Sequence, residues 1–340
     1  MSLNILILGI NGFIGSHLAD QILANTDWNI VGMDLTNTNL IQHSQNERMY
    51  FKEGDITKES TWIEEYIQKS DIILPLVAVA TPATYVQNPI RVFELDFEAN
   101  LPIIRWCVKY KKRVIFPSTS EVYGMCPDET FDEENSQLVL GPIHKERWIY
   151  SCAKQMMDRV IYAYGAHQGL HYTLFRPFNW IGPRQDNIFA TKAGSSRVLT
   201  QFISNVIHGQ DIQLVEGGLQ KRCFTYIDDG INALIKIIAN ENQQADNRIF
   251  NIGNPYNNYS IQELAEKVVA AIKKYPAYTE LAEKTRIITT EAKQYYGNGY
   301  QDVNSRVPAI KNAKTYLNWE PKITLDDAII KTLDFYFNKR

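Results

Sequence analysis

A tyrosine and a lysine stand four residues apart in the segment Tyr150-Ser151-Cys152-Ala153-Lys154. Residues at this spacing lie on the same face of an α-helix, so the phenol and the ammonium can be neighbours. A free tyrosine has a pKa near ~10, and a close, partly desolvated ammonium favours its phenolate. The pair therefore predicts a base that removes a hydroxyl proton while the carbon bearing the hydroxyl gives up a hydride.

Hydroxyl and carboxyl side chains follow an apolar run earlier in the chain. Residues 114–116 are apolar and have the length of a strand, and Ser118-Thr119-Ser120-Glu121 follows almost directly. Ligands of open α/β sheets bind at the carboxyl ends of the strands. A tyrosine and a lysine at this spacing occur on many helices, but together with this segment they form a specific pattern. We predict a catalytic site that contains Thr119, Ser120, Glu121, Tyr150 and Lys154.

Glycines recur at every third position in Gly9-Ile10-Asn11-Gly12-Phe13-Ile14-Gly15, directly after the apolar run 5–8. The spacing differs from G-x-G-x-x-G, but a strand before and a helix after it are the context of a dinucleotide fingerprint. The glycines permit a tight turn and let helix N-terminal N–H groups approach a pyrophosphate. We predict a dinucleotide site with contacts from Gly9, Gly12, Phe13, Ile14 and Gly15.

Two aspartates follow strand candidates and are candidates for the adenosine end of that site. Asp34 ends the second strand candidate, where a carboxylate accepts hydrogen bonds from ribose hydroxyls and repels a 2′-phosphate. This favours NAD over NADP, and the alternative is a capping or turn residue. Asp55 is expected near the adenine, but the pattern fits a role in a turn equally well. The positive charge of NAD⁺ would add to the stabilisation of the Tyr150 phenolate.

Short apolar runs alternate with helical patterns in the first half of the chain. Continuous apolar strands separated by helices form parallel sheets that are covered on both faces. The sequence therefore predicts an α/β fold with a doubly wound parallel Rossmann sheet. The strand candidates are residues 5–8, 29–33, 72–76 and 114–116, and the helical patterns cover residues 13–24, 60–68 and 97–110.

The second half has a more mixed pattern. A capping box of Ser260 and Glu263 marks one helix start. We predict an NAD-binding Rossmann core over residues 1–175 and a smaller, mainly substrate-binding α/β part over residues 176–340 that is interleaved with the core. The predicted elements are a helix over 148–169, a strand over 172–175, an irregular stretch over 176–196, a helix from 261 to about 274 and a last helix over 325–337.

The composition argues against several classes of function. With a net charge of −3, the 340-residue chain offers no basic surface for nucleic acid and no polybasic segment for a membrane. No apolar run reaches the ~20 residues of a membrane span, and the N-terminus lacks a signal-peptide pattern. The cysteines and histidines show no metal-ligand spacing, so we expect reduced thiols, no metal site and a cytoplasmic protein.

Over essentially its whole length the chain resembles the extended short-chain dehydrogenases/reductases. Among them it is most similar to the UDP-glucuronate decarboxylase domains of the ArnA-type bifunctional polymyxin-resistance proteins. The resemblance implies NAD as cofactor, UDP-glucuronate as substrate, a homodimer formed through helices around 95–110 and 148–168, and a role in lipid A modification and polymyxin resistance. The blocks that carry it are Leu74-Pro75-Leu76-Val77-Ala78 with Ala80-Thr81-Pro82, residues 92–97, 116–125 and 175–180, Lys221-Arg222-Cys223-Phe224, and Tyr295-Tyr296-Gly297 with 300–303.

The resemblance also implies a reaction in two steps. Oxidation of the C4 hydroxyl yields a ketone β to the C6 carboxylate, which is lost as CO₂ to give UDP-4-keto-pentose and NADH. Because the pKa of arginine is very high, an orienting role suits Arg306 better than proton donation. The matching positions are Tyr150 and Lys154 for the hydride step, Thr119 and Ser120 for the C4 oxygen or the carboxylate, and Glu121 and Arg306 for the decarboxylation.

Further positions match ligand contacts in these relatives. Arg222 suits a diphosphate because guanidinium forks match phosphate oxygens. Gln213 stands where the pattern has a lysine, so this contact carries no charge in the present chain. The matching cofactor contacts beyond the glycine loop are Asp34, Asp55, Ile56, Leu76 and Asn100, and the matching nucleotide-sugar contacts are Ala80, Tyr85, Arg147, Asn179, Arg197, Gln213, Arg222 and Tyr300.

Other functions remain open. A UDP-xylose synthase would use the same residues but keep NADH bound and reduce the ketone. Nucleotide-sugar 4-epimerases and 4,6-dehydratases share the fold, although dehydratases usually have Asp-Glu in place of Ser120-Glu121. An NAD-sensing regulator typically lacks the tyrosine or the lysine. Plant UDP-apiose/xylose synthases are also similar but carry cysteines in place of Ala80 and Ser120, which argues against ring contraction.

Overall fold

The computed structural model describes residues 2–190, 196–296 and 299–338. Seven strands form one parallel sheet in the order β11-β6-β5-β4-β1-β2-β3. The remaining strands pair in twos, β10 with β7, β12 with β9 and β13 with β8. The strands are β1 (Asn4–Leu8), β2 (Asn29–Asp34), β3 (Met49–Glu53), β4 (Ile72–Pro75), β5 (Arg113–Pro117), β6 (Tyr172–Pro177), β7 (Trp180–Ile181), β8 (Ile212–Val215), β9 (Lys221–Cys223), β10 (Thr225–Tyr226), β11 (Arg248–Ile252), β12 (Asn258–Ser260) and β13 (Ile287–Thr290).

Helices connect these strands and cover both faces of the sheet. A 3₁₀-helix spans Ser120–Tyr123, and a π-helix spans Glu94–Glu98 between two α-helices. The α-helices are α1 (Phe13–Asn25), α2 (Ser60–Lys69), α3 (Pro82–Gln87), α4 (Pro89–Phe93), α5 (Asn100–Lys109), α6 (Trp148–Gln168), α7 (Val198–Ile207), α8 (Ile227–Ala239), α9 (Ile261–Ile272), α10 (Thr279–Lys284), α11 (Ala292–Tyr296), α12 (Lys311–Leu317) and α13 (Leu325–Phe337).

The predicted doubly wound α/β fold is confirmed. The central strands are apolar along their length because helices bury both of their faces, and all four residues of β4 are buried. One core cluster packs β-strand residues against α1, α7, α8, α9 and α13, and a second packs them against α2, α5 and α6. The predicted division at residue 175 falls inside β6 and stays a prediction.

Local sequence signals fixed several helix ends as expected. The Ser260 hydroxyl accepts the N–H of Glu263, and the Glu263 carboxylate accepts the N–H of Ser260, which confirms the predicted capping box. The predicted helices at 148–169 and 325–337 are present as α6 and α13. The N-terminus of α6 places Tyr150 and Lys154 beside the carboxyl end of β5, where a ligand of a parallel sheet binds.

Two strands of the main sheet, β3 and β11, were not predicted. Three residues of β3 are half-buried and two are exposed, since β3 is an edge strand with one open side. β11 is the edge strand on the other side of the sheet, and a buried asparagine interrupts its apolar run. The stretch expected to be irregular contains β7, and its residues 191–195 lie outside the described part of the chain.

Two further observations concern membranes and metals. None of the helices formed by the described residues is both long enough and apolar enough to cross a membrane. Within the same residues, no cluster of three or more His, Cys, Asp and Glu side chains could hold a metal ion.

Candidate active site

A cavity of about 660 Å³ opens at the carboxyl ends of β1, β4, β5 and β6. The glycine loop lines one end of it, and a group of arginines lines the other. Tyr150 and Lys154 lie between these ends. The groups at the two ends therefore suit a dinucleotide at one end and a second polar ligand at the other.

The glycine loop is shaped by backbone contacts that exclude larger residues. Gly9 adopts a φ of +86°, and a Cβ on Gly15 would lie 2.6 Å from the carbonyl oxygen of Gly9. Gly12 is the N-cap residue of α1, and no side chain caps this helix end. The first N–H groups of α1 are thus available to an anionic ligand in the cavity, which fits the pyrophosphate of a dinucleotide.

Asp34 anchors the glycine loop. Its carboxylate accepts the N–H of Asn11 at 2.8 Å and the N–H of Leu35 at 2.7 Å. Burial raises the pKa of Asp34, and these N–H donors act against that rise. The structure therefore gives Asp34 a role in holding the loop, at the end of β2 where the ribose contact was predicted.

Three other predicted cofactor contacts also lie outside the lining of the cavity. The Asp55 carboxylate accepts the N–H of Thr57 at 2.9 Å, as in a turn. Asn100 is fully buried and donates to the carbonyl oxygen of Leu95 at 2.9 Å. Ile56 is buried in the core around α2. Leu76, by contrast, lines the cavity, and its contact with the cofactor stays a prediction.

Asn11, Asn39 and Arg184 line the dinucleotide end of the cavity and were not predicted. Asn11 Oδ1 accepts the N–H of Asn39 at 2.7 Å, and Asn39 Nδ2 donates to the carbonyl oxygen of Asn11 at 2.8 Å. Arg184 pairs with Asp20. These contacts join segments far apart in the chain, so local sequence patterns gave no signal for them.

Tyr150 and Lys154 are both buried in the centre of the cavity wall. Lys154 Nζ donates to the carbonyl oxygen of Pro117 at 3.1 Å and lies 3.5 Å from an Asp96 oxygen. It lies 5.9 Å from the centre of the Tyr150 ring. The Tyr85 ring stacks on the Tyr150 ring, with their centres 4.5 Å apart.

Burial raises the pKa of Tyr150 well above its ordinary value, and the Asp96 carboxylate adds to this rise. A hydrogen bond with Thr119 acts in the opposite direction. Burial also lowers the pKa of Lys154, against the effect of Asp96. Because burial is the largest cause, the protein's own groups leave the pKa of Tyr150 raised, and the phenolate expected from the sequence would depend on the positive charge that bound NAD⁺ adds.

Thr119, Ser120 and Glu121 follow β5 and line the cavity, and their catalytic roles stay a prediction. The Thr119 hydroxyl accepts the N–H of Glu121 at 3.2 Å and so caps the N-terminus of the short 3₁₀-helix. The Glu121 carboxylate pairs with Arg147 through one oxygen and with Arg306 through the other. Burial alone would raise the pKa of Glu121, but the two arginines hold it below its ordinary value.

A third arginine and a second carboxylate complete this cluster. Arg222 pairs with Asp302, and Arg147 also donates to the carbonyl oxygen of Gln301 at 2.6 Å. The Arg147 side chain is 1% exposed. Despite its burial, the pKa of Asp302 is held low by the arginines. We call Glu121, Asp302, Arg147, Arg222 and Arg306 the arginine cluster.

The other predicted sugar-nucleotide contacts line the same cavity but differ in their burial and in the contacts of their polar groups. Asn179 Oδ1 is buried and has no hydrogen-bond partner among the described residues. Arg197 is partly exposed and pairs with Asp186 at 2.8 Å. Gln213 is exposed on β8. Ala80, Tyr85 and Tyr300 complete the set.

The Rossmann sheet, the glycine loop and the Tyr150–Lys154 pair define a nucleotide-dependent oxidoreductase of the short-chain dehydrogenase/reductase type. Residues 5–253 match the model of the NAD dependent epimerase/dehydratase family, and the chain belongs to this family. NAD is accordingly its cofactor, and the glycine loop fits this group.

Solved structures support the assignment of the fold. The PbgP3 protein from Burkholderia pseudomallei is 53% identical over 99% of this chain and 97% of its own, with a TM-score of 0.91. UDP-glucuronic acid 4-epimerase from Bacillus cereus, in complex with UDP-glucuronic acid and NAD, is 21% identical over 99% and 100% of the chains, with a TM-score of 0.82. dTDP-glucose 4,6-dehydratase from Bacillus anthracis, in complex with NAD, is 20% identical over 100% and 98%, with a TM-score of 0.79. At these lower identities the likeness concerns the fold alone.

Proposed function

We propose that the chain catalyses the NAD-dependent oxidative decarboxylation of UDP-glucuronate to UDP-4-keto-pentose. The observation that carries the proposal is the arginine cluster, in which three arginines face two ionised carboxylates in the same cavity as Tyr150. Beside Tyr150, Arg147 and Arg306 share one close carboxylate, that of Glu121, and the C6 carboxylate of a uronate would give them a second one. The C6 hydroxymethyl group of a neutral hexose would bring no charge to these guanidinium groups.

The first step oxidises the sugar. Tyr150 removes the proton of the C4 hydroxyl, and the C4 hydrogen leaves with its electron pair as a hydride. Bound NAD⁺ would supply the hydride acceptor. Lys154 stabilises the phenolate, and Thr119 and Ser120 hold the C4 oxygen. The product of this step is a C4 ketone β to the carboxylate.

The second step breaks the C5–C6 bond. The electron pair of this bond moves into an enolate that the ketone accommodates, CO₂ leaves, and C5 takes a proton. Arg306 orients the carboxylate before it leaves. Because Glu121 is held ionised, it orients a water that gives C5 its proton rather than acting as the acid itself. The proton that Tyr150 took from the C4 hydroxyl in the first step returns to this water, so the two steps together release no net proton.

The rest of the cavity suits a nucleoside diphosphate. Arg222 would bind the diphosphate after exchanging its contact with Asp302, because guanidinium groups match phosphate oxygens. The free Asn179 Oδ1 accepts a donor from the ligand. We assign Ala80, Tyr85, Arg147, Arg197, Gln213 and Tyr300 to the same ligand.

The test is incubation of the pure protein with UDP-glucuronate and NAD⁺, with NADH followed by absorbance and the sugar identified by NMR. The proposal predicts that NADH and UDP-4-keto-pentose appear in equal amounts. UDP-xylose and CO₂ without net NADH would identify a UDP-xylose synthase instead. Epimerised UDP-galacturonate without CO₂, or no turnover, would refute the decarboxylase.

The biological setting is proposed from the sequence resemblance. We propose a cytoplasmic homodimer that supplies the ketopentose for lipid A modification and so contributes to polymyxin resistance. Light scattering on the purified protein tests the dimer. Polymyxin sensitivity after deletion of the gene, restored by the wild-type chain and not by Tyr150→Phe, tests the role.

A further inference from the structure

Asp96 is a fully buried carboxylate that the proposed reaction does not use. Its Oδ1 atom lies 3.5 Å from Lys154 Nζ. Its Oδ2 atom accepts the N–H of Val79 at 3.0 Å. Ala78 and Ala80, on either side of Val79, line the cavity. One side chain therefore joins the lysine of the catalytic pair to a wall of the ligand cavity.

The backbone around Asp96 is unusual in the same place. Asp96 lies in the π-helix Glu94–Glu98, and π-helical turns occur frequently at functional sites. Asn100 follows one turn later and donates to the carbonyl oxygen of Val77 at 3.4 Å. Asp96 and Asn100 thus both form hydrogen bonds with the backbone of the segment 77–79.

We propose that Asp96 is a positioning residue that fixes the charge and place of Lys154 and so sets the pH range in which Tyr150 accepts a proton. The inference rests on the proposed hydride step at Tyr150. It assigns a role to a carboxylate that touches neither the sugar nor NAD.

Charged groups from several elements face the Tyr150–Lys154 pair. Asp158 also acts on Lys154, but it is paired with Arg176 at 3.1 Å. Other groups acting on Tyr150 are the Glu121 carboxylate and the Tyr85 hydroxyl, and Glu121 is neutralised between Arg147 and Arg306. Among the ion pairs of the described residues, Asp96 has Lys154 as its single partner.

The sign of the effect follows from the charge. A carboxylate raises the pKa of every group near it, and Asp96 raises the pKa values of both Lys154 and Tyr150. Loss of the Asp96 charge must therefore lower both pKa values at which the coupled Tyr150–Lys154 pair loses its protons. A charge at such a distance shifts a pKa by about 1–3 units.

The decisive variant is Asp96→Asn, because the amide oxygen still accepts the Val79 N–H while the charge is lost. Both limbs of the pH profile for NADH formation are expected to move to lower pH by at least about one unit. Asp96→Ser is tested in parallel, since its smaller side chain leaves room for water beside Lys154. Asp229→Asn is the matched control, because Asp229 is buried, accepts two backbone N–H groups and does not line the cavity.

A second measurement needs no sugar substrate. The ultraviolet absorbance of the Tyr150 phenolate is titrated with and without NAD, as the difference between each protein and its Tyr150→Phe counterpart. Asp96→Asn and Asp96→Ser are expected to lower the midpoint pH of this titration. Asp229→Asn is expected to leave the midpoint pH unchanged. If wild type does not oxidise UDP-glucuronate, the proposed function fails while this titration still decides the role of Asp96. An unshifted midpoint in both Asp96 variants would overturn the inference.

Discussion

Tyr150 is the residue on which the proposed oxidation depends most directly. Tyr150→Phe keeps the ring that stacks on Tyr85 but removes the hydroxyl that accepts the proton. We expect NADH formation from UDP-glucuronate to fall by about 10²–10⁴-fold or more, as for other lost acid/base groups. The control is Tyr162→Phe on the same helix, where the side chain is 60% exposed. Near-native activity of Tyr150→Phe would show that the base has been misassigned.

Glu121 tests the decarboxylation site separately from the nucleotide site. Glu121→Gln keeps the shape of the side chain but removes the charge that balances Arg147 and Arg306. We expect kcat to fall by about 100-fold or more while NAD affinity, measured by calorimetric titration, is unchanged. Glu129→Gln, an exposed neighbour in the chain, serves as the control. Equal losses in NAD affinity and kcat would point to a general disruption of the fold.

At the residue scale, the sequence predicted the groups that have a local pattern. The glycine loop, Tyr150, Lys154 and Glu121 all line the cavity. Asp96 and Asp302 were missed because their roles depend on contacts with residues far away in the chain. Asp34 was correctly singled out as an acidic strand end, but its contacts with the loop backbone required the structure.

The segment between the 3₁₀-helix Ser120–Tyr123 and α6 contains a further buried acid, Glu133, which joins this segment to β11. Glu133 accepts the N–H of Asn251 in β11 at 2.8 Å, and burial raises its pKa to about 7. A carboxyl with a raised folded-state pKa is favourable while protonated. Its contribution is thus fully present below the unfolded value of 4.5 and is lost as pH rises through about 7.

Glu133→Gln should therefore change stability only at the higher pH. We expect the free energy of unfolding to rise by about 3 kcal/mol at alkaline pH and to stay near the wild-type value at acid pH, since one pKa unit corresponds to about 1.4 kcal/mol. Urea unfolding at the two pH values measures this difference. Glu134→Gln, an exposed neighbour, should change stability at neither pH. A pH-independent effect of Glu133→Gln would contradict the raised pKa.

At the element scale, the parallel strands and the long helices followed from apolar runs and caps, whereas the edges of the sheet did not. β3 has no fully buried residue, so it lacks the continuous apolar pattern of a central strand. The π-helix Glu94–Glu98 was not predicted, since the helical pattern of the sequence begins at residue 97. Such features arise from packing with distant elements rather than from local propensity.

The molecule as a whole is built around a shared core. The larger core cluster joins Ile7 of β1 and Leu18 of α1 to Phe202 of α7, Leu264 of α9 and Leu333 of α13. We therefore expect one cooperative thermal transition, with equal calorimetric and van't Hoff enthalpies. NAD at 100 times its dissociation constant should stabilise the whole chain by about 2.7 kcal/mol. Two separate transitions, with only one of them sensitive to NAD, would show that the two parts fold independently.

The order of strands in the sheet also bears on how the chain is made. β6 (Tyr172–Pro177) has β5 on one side and β11 (Arg248–Ile252) on the other. During synthesis on the ribosome, the outer edge of β6 has no partner until Arg248–Ile252 has emerged. An unpaired apolar edge can pair with other chains, so the nascent protein is exposed to aggregation over this interval. The seven-stranded sheet is therefore complete only after β11, its last strand along the chain, has been translated.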